Sequence, residues 1–265
     1  MGVDFTGLRV LSRCFVRYFV KVISLAKDSL RKYNDMRWNE KGDETEMDKI
    51  DTVLFDFDGT IMDTNNVILM SWQHTFKTLE NREEKVETLV KTFGEPLETT
   101  MRKFFPHIPT EESIEIYRSY HRDNFGELID LFPGMKELLA KVKGGGFKTG
   151  LVTSRLWHTT RQGMEKYGIE EYFDAVVTAE DTTRHKPDPQ PVNIALEKLE
   201  AKPQQAIMLG DTMFDILCAR NAGVRSVLVA WSMALDYRKD FGGDGPDYII
   251  HRADELLDII GYGGA

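Results

Sequence analysis

The apolar positions of this chain fall into short runs separated by helical stretches. Apolar, β-branched runs occur at Thr52–Phe57, Thr149–Thr153, Ala175–Thr178, Ala206–Leu209, Ser226–Trp231 and Tyr248–Ile250. Runs this short, without polar alternation, suit strands buried on both faces of a parallel sheet. Between them, Met135–Lys143 follows the Pro133-Gly134 turn and Arg161–Tyr167 is stopped by Gly168. Pro191–Leu199 begins with a proline near its first turn, and Asp215–Asn221 ends at Ala222-Gly223. Strand and helix in alternation predict an α/β fold, a Rossmann-like parallel sheet with helices around it.

One segment breaks the rhythm. Residues 64–132 carry helical patterns over Asn66–Leu79, Glu83–Thr92, Pro96–Phe104 and Glu111–Leu128, with no strand signal. A wholly helical stretch here predicts a helical cap domain inserted after the first strand. The sheet-bearing core would then be residues 47–63 and 133–265. The insertion falls at the carboxyl end of strand one, where open α/β sheets bind their ligands.

The first 46 residues read differently. Wound as a helix from Leu8 to Lys32, the chain puts Leu8, Leu11, Phe15, Phe19, Val22, Ala26 and Leu30 on one face. Arg9, Arg13, Arg17, Lys27 and Arg31 fall on the other. Charges interrupt the apolar positions, unlike a secretory signal. Residues 33–50 are polar and read as a linker. A basic amphipathic helix of this kind suits an anionic surface or partner, a membrane surface among them, through residues 8–32. Packing on the core or on a second subunit, a targeting segment, or a stretch outside the true start of the protein are the alternatives, so the oligomeric state stays open.

Composition narrows the class. No run of about 18 apolar residues exists, so no membrane span is expected. A net charge of -9 argues against nucleic acid as a partner. The two cysteines, Cys14 and Cys218, suggest neither a disulfide framework nor a zinc site, and a cytoplasmic location is the default.

Four polar clusters stand at the carboxyl ends of predicted strands. In Asp56-Phe57-Asp58-Gly59-Thr60, alternation puts two carboxylates on one side, where they repel unless a cation or a proton intervenes. An Asp-Gly turn after a buried strand would explain the same residues. Thr153-Ser154 offers hydroxyls to a phosphoryl oxygen, or to its own backbone. Lys186 lies in His185-Lys186-Pro187-Asp188-Pro189, where prolines stiffen the loop around a compact positive charge. In Gly210-Asp211-Thr212-Met213-Phe214-Asp215, the carboxylates of Asp211 and Asp215 lie one helical turn apart, so both can face one point. Helix capping would account for Asp211 alone.

Taken in that order, these clusters resemble the haloacid dehalogenase-like superfamily over about residues 50–260. Asp58, absent from the dehalogenases themselves, points to the phosphatases and phosphomutases. The pieces Phe93-Gly94-Glu95-Pro96-Leu97 and Leu228-Val229-Ala230-Trp231 are similar to the phosphoglycolate phosphatases. Together with Trp72-Gln73-His74-Thr75 and Tyr120-His121-Arg122-Asp123, they look still more like the PpaX-type pyrophosphatases. The first 46 residues have no counterpart in that pattern.

The resemblance implies a magnesium-dependent hydrolase acting on a small phosphorylated metabolite or pyrophosphate. Asp56 would be the nucleophile and form an aspartyl-phosphate. Asp58 would act as acid and then base, and Thr153 and Lys186 would stabilise the phosphoryl charge. Mg²⁺ would be held by Asp56, Asp58 (through its backbone carbonyl), Asp211 and Asp215. Ser154, and cap residues such as Arg102 and His121, are the candidates for substrate contact; Lys103, His107, Arg118 and Arg122 are further cations of the cap. A phosphomutase, or a binding protein that kept the fold, are the alternatives.

Overall fold

The computed structural model describes residues 49–234 and 245–263. The helix expected over 8–32 lies outside them, as does almost all of the expected linker. The described residues fall within one compact unit.

The first strand, β1 (Thr52–Phe55), is buried along its whole length. It leads to β2 (Met62–Asp63), and then to four helices: α1 (Asn65–Glu80), α2 (Val86–Val90), α3 (Leu97–Phe104) and α4 (Thr110–Leu128). After β3 (Asp130–Leu131), strands and helices alternate as α5 (Met135–Gly144), β4 (Lys148–Val152), α6 (Trp157–Tyr167), β5 (Ala175–Val177), α7 (Gln190–Lys198), β6 (Ala206–Gly210), α8 (Met213–Asn221) and β7 (Arg225–Val229). The strand β8 (Tyr248–Ile250) and the helix α9 (Glu255–Ile259) follow.

Six strands form one sheet in the order β5-β4-β1-β6-β7-β8, every neighbouring pair parallel. The expected α/β class and parallel sheet are therefore present. Alternation along β1 sends Val53 and Phe55 into one apolar cluster, with Met135, Leu138 and Leu139 of α5. Leu54 goes to the opposite face, with Val192, Ala195 and Leu196 of α7. Covering both faces is what the uninterrupted apolar runs require.

The chain leaves β1 for β4 and β5 on one side, then returns to β6 on the other. Successive connections thus diverge around β1, and a crevice opens at the strands' carboxyl ends. The register Phe55↔Leu151 and Phe55↔Leu209 aligns those ends.

Helices α1 and α4 pack together around aromatic rings. Trp72 lies 4.9 Å from Tyr117, centroid to centroid, and Phe76 lies 4.7 Å from Phe105. Such pairs are worth about 0.5–1.5 kcal/mol beyond the area they bury.

Three elements differ from expectation. The helix expected over Glu83–Thr92 shrinks to α2, because Gln73 ties down Glu84, two residues before its start. Its side-chain amide donates to the Glu84 carbonyl and its oxygen accepts the Glu84 N–H, at 2.6 and 3.0 Å. The stretch read as wholly helical contains β3, which pairs antiparallel with β2. Two-residue strands leave no periodic signal to read. The first strand also stops at Phe55 rather than Phe57, which changes where Asp56 and Asp58 point. Among the described residues, no helix is long and apolar enough to cross a membrane.

Candidate active site

Asp56 leaves β1 at the crevice, its N–H still donating to the Leu209 carbonyl of β6 at 2.9 Å. Thr153 leaves β4 next to it, its N–H donating to Val177 of β5. Asp211 follows β6 directly. Parallel pairing of β1, β4 and β6 thus gathers residues far apart in sequence at one edge.

Lys186 joins them. Its side chain is 4% exposed, and the ammonium donates to Asp56 Oδ1 at 2.7 Å, to Asp215 Oδ1 at 2.6 Å and to the Val152 carbonyl at 2.8 Å. Burial works against its charge, but Asp215 and Asp56 outweigh burial and hold the proton more firmly than on a free lysine.

The convergence of Asp211 and Asp215 has a different cause from the one-turn spacing expected. Thr212, not Asp211, caps α8: its hydroxyl accepts the Asp215 N–H. Asp215 Oδ2 accepts in return from the Thr212 N–H at 3.1 Å and hydroxyl at 2.6 Å. This capping box fixes the Asp215 rotamer and leaves Oδ1 for Lys186. Asp211 is steadied by the Ser232 hydroxyl at 2.6 Å.

Two glycines make room for these acids. Gly59 has φ +76°, and a Cβ there would sit 1.9 Å from Asp211 Oδ2. A Cβ on Gly210 would meet the Asp215 Cβ at 2.2 Å. Gly59→Ala is accordingly expected to displace Asp211 and to lower kcat by at least about tenfold, since misplacement by 1 Å can cost about 10²-fold. Steady-state kinetics on a folded variant checks this; an unchanged kcat would show that the loop yields without moving Asp211.

One ligand atom each from Asp56, Asp211 and Asp215 lie within 4.8 Å of one another, all three residues buried. Burial first, then mutual repulsion, pushes Asp56 up to about 7 despite Lys186, and Asp211 well above its ordinary value. Three crowded carboxylates facing one ammonium lack positive charge. Hard oxygen donors with an unmet charge fit a divalent cation.

Asp58 does not face this centre with its carboxylate. Arg155, a residue the sequence reading missed, holds it through two parallel bonds: Nε to Oδ2 at 3.0 Å and Nη2 to Oδ1 at 2.7 Å. Burial pushes the Asp58 carboxyl up, but the Arg155 charge and hydrogen bonds prevail and hold it below the usual range. In this arrangement Asp58 is a carboxylate, and donating a proton requires that it leave Arg155. An arginine two residues past a strand-end threonine carries no sequence signal of its own.

The candidate substrate residues separate. His121 of α4 lies near Asp58 and Arg155, stacked between Tyr117 and Phe125. Burial foremost, with Arg155 adding, drives its pKa down to about 4 against the pull of Asp58, so it is neutral at pH 7. Arg102 is turned outward on α3 and pairs with Glu98. Lys103 pairs with Glu95 and Arg122 lies near Glu115, and His107 is 3.6 Å from Glu80. Arg118 is exposed, and so is Ser154. The Thr153 hydroxyl accepts the Arg155 N–H at 3.1 Å, which leaves its proton to give.

Residues 53–229 match the family model described as haloacid dehalogenase-like hydrolase. Among curated sequences, the chain is 39% identical over 213 residues to the putative pyrophosphatase PpaX of Caldanaerobacter subterraneus subsp. tengcongensis, spanning 80% of this chain and 95% of that protein. To the pyrophosphatase PpaX of Halalkalibacterium halodurans it is 34% identical, over 80% of this chain and 98% of that one. A haloacid dehalogenase-like hydrolase from Streptococcus pneumoniae superposes with a TM-score of 0.71 at 28% identity, covering 79% of this chain and 98% of that structure. A putative phosphoglycolate phosphatase from Lactobacillus plantarum gives 0.69 at 25%, covering 80% and 99%. Through the parallel sheet, the helices inserted after its first strand and the match along 53–229, this chain belongs to the haloacid dehalogenase-like hydrolase family.

Proposed function

We propose that this chain is a magnesium-dependent phosphohydrolase that cleaves a small phosphate monoester or pyrophosphate through an aspartyl-phosphate on Asp56. The observation that carries the reading is the convergence of Asp56, Asp211 and Asp215 with the buried Lys186 ammonium. Relatives named pyrophosphatase, at 34–39% identity, favour pyrophosphate among the substrates.

Asp56 attacks phosphorus in line, and the bond from phosphorus to the leaving oxygen breaks. Asp58, freed from Arg155 and protonated, gives its proton to that oxygen. Water then attacks the phosphoenzyme, Asp58 takes a proton from it, and Asp56 is regenerated with release of phosphate. Lys186 and Thr153 offset charge on the phosphoryl oxygens. Asp56, Asp211 and Asp215, with the Asp58 carbonyl, would hold Mg²⁺, which supplies further neutralisation of that charge. Residues 64–132 act as the cap that excludes water during the first step. The reaction belongs in the cytoplasm.

A panel of phosphate monoesters and pyrophosphate, assayed with Mg²⁺, tests the reading. Activity is expected to vanish in excess chelator and to be inhibited by Ca²⁺, which takes more ligands at longer distance. Full activity in chelator, or hydrolysis of nothing in the panel, would overturn it.

Binding also has a signature in stability. Without metal, folded Asp56 keeps its proton up to about pH 7, whereas an unfolded aspartate releases it near pH 3.9, at about the ordinary value. The native state then binds more protons, so this group's contribution to stability rises as pH falls below 7 and is least at pH 8. Mg²⁺ relieves that cost where protons do not compete. At about 100 times its Kd it is expected to raise Tm by roughly 5–10 °C at pH 8, and by clearly less at pH 6. Differential scanning calorimetry reads both; a shift that is larger at pH 6 would contradict the assignment.

A further inference from the structure

Arg155 is the feature that the proposed chemistry leaves unused. Its side chain is 9% exposed, whereas that of its partner Asp58 is 31% exposed, so the carboxylate is the more open member of the pair. The backbone on either side is pinned, by Arg155 N–H to Thr153 Oγ1 and by Ala179 N–H to the Arg155 carbonyl. One face of the guanidinium lies over the Phe125 ring of α4, 4.4 Å from its centroid, and Phe57 lies 6.0 Å away. The cation is thus held beside Phe57, just past β1, and Phe125 of α4, with its fork on the Asp58 carboxylate.

A guanidinium fork binds a carboxylate and a phosphate by the same pair of parallel hydrogen bonds. The cap's Arg102, Lys103 and Arg122 lie against acids of their own surface, and the neutral His121 brings no charge. Arg155 is the largely enclosed cation next to the proposed acid.

Resting on the phosphohydrolase reading, we propose that Arg155 is the binding residue for an anionic leaving group, exchanging the Asp58 carboxylate for the leaving phosphate of a pyrophosphate-type substrate. Binding of that phosphate releases Asp58 to turn toward the leaving oxygen. The selected substrates are those whose leaving group carries its own anionic oxygens. An ester with an uncharged leaving group cannot make the exchange.

The test compares Arg155→Gln and Arg155→Lys with the wild type, with Mg²⁺, on pyrophosphate and on 4-nitrophenyl phosphate, whose leaving group carries no phosphate or carboxylate. The expected result is a loss of kcat/KM on pyrophosphate that exceeds the loss on the aryl ester by about 10- to 100-fold, the worth of hydrogen bonds to a charged group. Arg155→Lys, which keeps the charge but not the fork, should fall between. In the Asp56→Asn background, adding Arg155→Gln should weaken calorimetric binding of pyrophosphate with Mg²⁺ by a similar factor. Equal losses on the two substrates with unchanged pyrophosphate binding would overturn the inference, leaving Arg155 to position Asp58 only. If Arg155→Gln does not fold, Arg155→Lys is read by the same comparison. Wild-type hydrolysis of the aryl ester but not of pyrophosphate would overturn the inference and spare the phosphohydrolase reading. Hydrolysis of neither would overturn both.

Discussion

Asp56→Asn is expected to abolish turnover while the fold stays intact. Asp56 stands at the carboxyl end of the central strand, 2.7 Å from the Lys186 ammonium. The amide is nearly isosteric, so the sheet edge keeps its packing and the hydrogen bond to Lys186 survives with the amide oxygen as acceptor. The variant loses a negative charge among three crowded carboxylates, a change that relieves repulsion. An amide is not a competent nucleophile toward phosphorus, so the two-step route disappears and the rate should fall by several orders of magnitude. Steady-state kinetics, Tm and mass spectrometry to exclude deamidation make the measurement. Substantial activity in the Asp56→Asn variant, with its amide shown intact, would end the aspartyl-phosphate mechanism. A large drop in Tm would instead mean that the charge supports the fold.

Lys186→Met should damage both stability and rate. The ammonium satisfies Asp56, Asp215 and the Val152 carbonyl at once, in a place almost sealed from water. Methionine fills a similar volume but leaves two buried carboxylates without their shared partner. Breaking a buried ion pair by removing one member costs about 3–5 kcal/mol. In a chain of this size that lowers Tm by on the order of 10 °C. Part of the loss is recovered when Asp56, whose proton burial already favours, takes that proton up, so the deficit should shrink at lower pH. On the rate side, removing a preorganised positive group from developing phosphoryl charge costs about 10²–10³-fold in kcat. Thermal unfolding at pH 6 and pH 8, with kinetics at the same two values, reads both effects. A variant with wild-type Tm and kcat would show that Asp56 and Asp215 do not depend on Lys186.

Much of this was legible in the sequence because the signals were local. Uninterrupted apolar runs identified the strands, since a buried parallel strand tolerates no polar face. Three of the four chemically loaded clusters came directly at the end of such a run, and parallel strands present their carboxyl ends on one edge. Asp56, Thr153 and Asp211 were therefore findable by position alone. What was not legible involved either very short elements or long separations. The pair β2 and β3 spans two residues on each side, too few for any period to appear. The Asp215 rotamer is set by a capping box with Thr212, a residue to which the sequence reading gives no role.

By itself, then, the sequence determined the class of the fold, the order of its elements and the residue types waiting at the sheet edge. Only the tertiary structure decided which of those residues meet. Lys186 reaches Asp56 across 130 positions and Arg155 reaches Asp58 across 97. Both contacts depend on strand register and loop path, which no local period encodes. The same is true of charge state. His121 looks like a cation in the sequence, yet burial beside Arg155 leaves it neutral. Asp58 looks like a free acid, yet the Arg155 guanidinium fixes it as a carboxylate. Desolvation and Coulomb energy are properties of the assembled surroundings, so they exist only once the chain has folded.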